Sequence, residues 1–130
     1  MNRMDESILD SVKRFIGLSL DDDTFDQELL ILINALFMTL QQIGVGPQDN
    51  LFSIEDNSST WSDYLEDPNS LPMIKPYIAI KVRLVFDPPS SSALDQALRQ
   101  EVAEYEWRMN LKVDDYHVED TVEDEEDMDE

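Results

Sequence analysis

The run MIKPYIAIKVRLVF, residues 73–86, decides the fold class, because it reads two ways. Ile78, Ile80, Val82, Leu84 and Phe86 alternate with Ala79, Lys81, Arg83 and Val85. A period of two, rich in β-branched residues, is the pattern of a strand. A helix is also open. Ile74, Ile78, Lys81, Val82 and Val85 would then share a face, with Pro72 or Pro76 in the first turn. Pattern alone leans slightly to the strand. Yet no neighbouring segment offers itself as a partner, and an isolated strand is not stable in water.

On the C-terminal side, Asp87-Pro88-Pro89 is a firm break, since proline lacks an amide donor and restricts the residue before it. A helix follows over residues 92–111. Ser92 and Asp95 make a capping-box-like start. Leu94, Leu98, Val102, Tyr105 and Met109 form its buried stripe. Asp95–Arg99 and Glu104–Arg108 are favourable pairs four residues apart. Trp107 sits off that stripe, either packing at its edge or facing a second subunit.

On the N-terminal side, a polar loop spans residues 48–59, tied to a core by Leu51, Phe52 and Ile54. A short helix over residues 60–66 turns Trp61, Tyr64 and Leu65 inward, and Pro68 and Asn69 break it. The clearest helix covers residues 24–43. Phe25, Leu29, Leu32, Leu36, Leu40 and Ile43 form one stripe, and Leu30, Ile33 and Phe37 a second beside it. An apolar face so wide needs more than one neighbour. Gly44-Val45-Gly46-Pro47 stops this helix. A first helix over residues 5–16 carries Ile8, Val12, Phe15 and Ile16 on one face, with Asp5 as N-cap and Gly17 at its end.

The 130 residues support one domain, and 42% apolar residues are enough for a core. There is no cysteine, which excludes disulfides and thiolate metal sites. The N-terminus lacks a signal-peptide pattern. The most apolar stretch, residues 29–38, is short of the roughly 20 residues a bilayer span needs. A protein soluble in the cytoplasm, with no membrane partner, is expected.

Charge is the outlier: nine Lys and Arg stand against 30 Asp and Glu, a net −21. Eleven of the acids fall in residues 114–130, which hold no Lys or Arg. Residues 1–113 are left with 19 acids and nine bases, a net −10. A phosphate-gripping surface needs clustered cations, so direct nucleic-acid binding is not expected. A folded domain over residues 1–113 and an acidic tail over 114–130, disordered or extended when unbound, are the expected organisation.

Catalysis finds little to work with. The one histidine, His117, lies in the expected tail. Without cysteine, and with three glycines, neither a Cys–His nucleophile nor a phosphate loop can be built. Asp21-Asp22-Asp23 lacks the alternating spacing and sharp glycine of a calcium loop, and reads as helix capping instead. No catalytic residue, metal site or cofactor is expected.

Residues 76–110, PYIAIKVRLVFDPPSSSALDQALRQEVAEYEWRMN, carry a recognisable run of motifs. Tyr77, Ile78, Lys81, Val82, Arg83, Leu84, Phe86, Asp87, Pro88 and Pro89 come first. Glu104, Glu106, Trp107, Arg108 and Asn110 follow. With "IGVG" at 43–46 and "TWSDYL" at 60–65, the chain resembles the head–tail connector (adaptor) proteins of long-tailed bacteriophages over residues 5–113. The resemblance tips residues 73–86 to a helix. It implies an all-α bundle of about four to five helices with a long loop. It further implies a homo-oligomeric ring, usually twelve-fold, in the virion neck. The ring would dock on the portal protein, offer a platform to a stopper or tail-completion protein, and let DNA pass its lumen unbound. No enzyme is implied. The acidic tail lies outside the family pattern.

Two strips are expected to do the assembling. Trp107, Met109, Leu111, Val113 and Tyr116 form a portal-facing strip, since the C-terminal region tends to reach the portal in this family. Leu30, Ile33, Phe37, Ile80 and Leu84 form a subunit interface drawn from the surplus apolar surface. The competing readings are an acidic DNA mimic and a regulatory adaptor that holds a basic partner. Mimicry wants its charge on a rigid surface, whereas about half of the excess lies in the tail.

Overall fold

The computed structural model describes residues 3–129, and side-chain surroundings for residues 4–110. Among the described residues there are five α-helices and no strand. They are α1 (Ile8–Ile16), α2 (Asp26–Gln42), α3 (Trp61–Tyr64), α4 (Leu71–Phe86) and α5 (Ser92–Asp129). Short 3-10 turns at Arg3–Asp5 and Pro68–Ser70 precede α1 and α4.

Residues 73–86 are helical, and the reason they resembled a strand is now plain. Helix α4 is the axis of the bundle, with α1, α2 and α5 packed around it. Ile74, Tyr77, Ile78, Ile80, Val82 and Leu84 are all buried. A helix packed against three neighbours buries apolar residues on several sides, so the 3.6-residue period fades. Pro72 sits in the first turn, while Pro76 is interior. Pro76 therefore leaves the Pro72 carbonyl without its helical donor.

Helix α1 starts later than the sequence suggested. Its N-cap is Ser7, whose Oγ accepts the Asp10 amide at 3.2 Å, and not Asp5. Gly17 ends the helix at φ 94°, a left-handed conformation that glycine adopts without strain. The Asp21–Asp23 run does not cap α2. Asp22 instead accepts the Thr24 amide at 3.0 Å, in the turn before the helix. That turn is held from below by Lys13, one of the most buried side chains in the molecule. Its Nζ donates to the Asp22 carbonyl at 2.7 Å and meets the Asp26 carboxylate at 2.9 Å. A buried ammonium is tolerable only with such partners.

The 48–59 loop is anchored by Asn34 on α2. Its side chain accepts the Ile54 amide at 2.9 Å and donates to the Ile54 carbonyl at 3.0 Å. Ile54 is buried, and Phe52 packs against Phe37 and Tyr64 at centroid distances of 5.0 and 4.9 Å. Leu51, by contrast, is exposed. Helix α3 then docks on α1. The Trp61 indole donates to Ser11 Oγ at 3.0 Å, and the Trp61 amide to the Glu6 carbonyl at 3.2 Å.

Helix α5 returns antiparallel along α4 after the Asp87–Pro89 break. Ser91 caps it, its Oγ accepting the Leu94 amide at 3.3 Å. The Asp95–Arg99 pair forms at 2.9 Å; Glu104 and Arg108 do not come within 4 Å. Leu98, Val102 and Met109 are buried on α4, but Leu94 is exposed. Helix α5 runs on to Asp129, past the expected end at Leu111; the side chains beyond Asn110 lie outside the described residues.

Candidate assembly site

The five residues expected at a subunit interface are placed elsewhere. Leu30, Ile33, Phe37, Ile80 and Leu84 are buried within the single chain. The surplus width of α2 is taken up by α4 and by the anchored loop. Little of these five side chains is left for a second copy. The portal-facing strip is split: Trp107 is 64% exposed, whereas Met109 is 2% exposed and belongs to the core. On a helix, residues two apart point to different sides. Leu111, Val113 and Tyr116 lie outside the residues whose side chains are described.

The apolar surface that does face outward is distributed differently. On α2, Ile31, Ala35 and Met38 follow at spacings of four and three and are all exposed, Ile31 by 69%. No charged residue occurs from Leu29 to Gln42. At the far end of α4, Val85 is 68% exposed, with Leu94 exposed at the start of α5. These positions were legible as apolar. Only the packing shows which of α2's stripes faces out.

A second feature is a half-open groove of about 730 Å³. The 44–49 turn, residues 62–67, the start of α4 and Met109 line it. Met73, Ile74 and Leu65 give it an apolar wall, and Asp49, Asp63, Glu66 and Asp67 an acidic one. Among the described residues no Lys or Arg lines it. Tyr64 also lines it; that hydroxyl is buried without a hydrogen-bond partner, and burial pushes its pKa up. Gly46 has φ 84°, and a Cβ there would stand 2.5 Å from the Tyr64 ring, so the tight turn requires glycine.

The remaining polar geometry is structural. Glu6 accepts Arg14 and Lys75, each at 2.7 Å, and so ties the N-terminal turn to α1 and α4. Burial raises its pKa, but the bonds and charges of Lys75 and Arg14 outweigh that and leave it lowered. Tyr77 on α4 donates to Glu106 on α5 at 3.1 Å. Among the described residues no cluster of three His, Asp or Glu side chains could hold a metal ion. No described helix is long and apolar enough to cross a membrane.

No curated protein matches the chain, and no solved structure does. A family model does: that of the phage connector protein, over residues 8–116. The matched span opens at the first residue of α1 and runs through α4 into α5, so it takes in α1 to α4 and the part of α5 packed on them. Matched by that family model over most of its length, the chain belongs to the phage connector proteins.

Proposed function

We propose that the chain is the subunit of a connector ring that docks on the portal vertex of the filled head and carries the stopper or tail-completion protein. The observation that carries this reading is the connector match over residues 8–116. The twelve-fold copy number comes from the family resemblance. Three physical features support the reading. The outward stripe of α2 is apolar and uncharged in a chain whose residues are 30% charged. A neighbouring copy would remove that stripe from water. Trp107, with Leu111, Val113 and Tyr116 beyond it, supplies the portal-facing strip; Met109 drops out of it because it is held in the core. Net charge of −21 keeps DNA in a lumen unattached, by repulsion screened over about 8–10 Å at physiological salt.

Truncation after Leu111 tests the portal strip. The shortened chain should still unfold cooperatively, as the bundle before Leu111 is kept, and lose portal binding in a pulldown. Portal capture equal to the full chain would remove the C-terminal region from the contact. Ionic strength tests the assembly. Strongly acidic subunits repel over a Debye length of about 30 Å at 0.01 M salt, so sedimentation should show more monomer there than at physiological salt. Equal or greater assembly at low salt would contradict it.

A further inference from the structure

We infer that the acidic groove is one half of the seam between copies, and that its occupant is the Lys81–Val85 edge of the next subunit. This rests on the ring reading above and names the surfaces that would join. The starting point is an accounting of cations. Lys13 is matched by Asp26, Arg14 and Lys75 share Glu6, and Arg99 meets Asp95. Among residues 4–110, Lys81, Arg83 and Arg108 are left with no carboxylate within 4 Å. Lys81 lies one helical turn before Val85, on the same side of α4. Together they present a cation beside an exposed apolar side chain.

The groove offers the complementary surface. Among the described residues that line it there are four carboxylates and no cation, around an apolar wall. Two of the four are engaged at home: Asp63 accepts the Thr60 amide and Asp67 the Asn69 amide. Glu66 and Asp49 have no such partner and are exposed. The buried Tyr64 hydroxyl lacks a partner on the same wall.

Position on α4 then sets the geometry. The groove takes in Met73 and Ile74 at the start of the helix, while Val85 stands at its end. Eleven residues of helix separate Ile74 from Val85, roughly 16 Å of rise at 1.5 Å per residue. A chain cannot bring its own edge to its own groove. Two copies placed head to tail can. Such a contact joins unlike patches, so it propagates, and it closes into a ring when the rotation per step allows. The apolar surfaces supply attraction, and the charges determine which patch meets which.

Charge exchange tests this in the full-length protein. Glu66→Lys and Lys81→Glu should each weaken self-association by about tenfold or more in sedimentation velocity. Glu66→Lys is the sharper of the two, because it lowers the net negative charge and by general repulsion alone would promote assembly. An equal mixture of the two variants should recover assembly, since the native edge of one fits the native groove of the other and the acquired charges also match. That recovery shows both variants are folded. If each variant assembles like the wild type, or the mixture does no better than its parts, the seam lies elsewhere while the ring reading stands. A wild-type chain that stays monomeric with and without portal would end both. If Glu66→Lys instead loses only portal or stopper binding, the groove's occupant is a basic segment of that partner, and the second-copy assignment is wrong.

Discussion

Helices α4 and α5 lie side by side, yet they do opposite things. Helix α4 buries eight of its residues between Leu71 and Leu84, against three neighbours. Among its described side chains, helix α5 commits Leu98, Val102 and Met109 to the core and leaves Leu94 and Trp107 in water. The first holds the bundle together; the second uses a narrow stripe to attach and keeps the rest of its surface for contacts.

The largest effect should come from α4. Ile78→Ala leaves a cavity at a side chain with no exposed surface. It should cost about 2–5 kcal/mol in urea unfolding, the range for truncating a buried Ile. A loss below about 1 kcal/mol would mean that α4 is not the axis of the core. The seam between the helices comes next. Tyr77→Phe removes the hydroxyl that donates to Glu106. A loss of about 1 kcal/mol is expected, and an unchanged midpoint would show that the two helices are held by apolar contact alone.

Acid should separate α4 from the N-terminal turn it supports. The folded Glu6 carboxyl titrates below its ordinary value of 4.5, with Lys75 of α4 as one cause. Its contribution to stability is therefore fully present above pH 4.5 and is lost as pH falls through the lower folded value. In a comparison of wild type with Glu6→Gln, the stability gap should be widest near neutrality and close as pH falls below 4.5. A gap that widens in acid would reverse the assignment. The smallest effect is expected on the outer face of α5. Trp107→Ala should change unfolding free energy by no more than about 0.5 kcal/mol, as for other exposed positions. The same variant should weaken portal capture. A large loss of stability would move Trp107 from the contact surface into the fold.

The same pair of helices shows where sequence reading succeeds. Helix α5 was legible because it is buried on one side only, so Leu98, Val102 and Met109 keep the helical period. Helix α4 was not, because burial on several sides erased that period, and Ile78, Ile80, Val82 and Leu84 happened to alternate. The break at Asp87–Pro89, the glycine stop of α1 and the short helix at Trp61 follow from local chemistry and stand where expected. The Asn34 clamp on Ile54 and the buried Lys13 were invisible, since each joins residues far apart in the chain or hides a charge among apolar neighbours. The burial of the expected assembly strips was hidden for a related reason. Leu30, Ile33, Phe37, Ile80 and Leu84 counted as surplus until the anchored 48–59 loop and α4 were seen to cover them. Met109 and Trp107 read as one strip until α5 divided them between core and water.

Native mass spectrometry of the full chain mixed with its portal protein at physiological salt bears most directly on the proposed role. A single discrete complex should appear, with many copies of this chain on one portal ring. A spectrum holding only free portal and monomeric chain, at concentrations where both are folded, would contradict it.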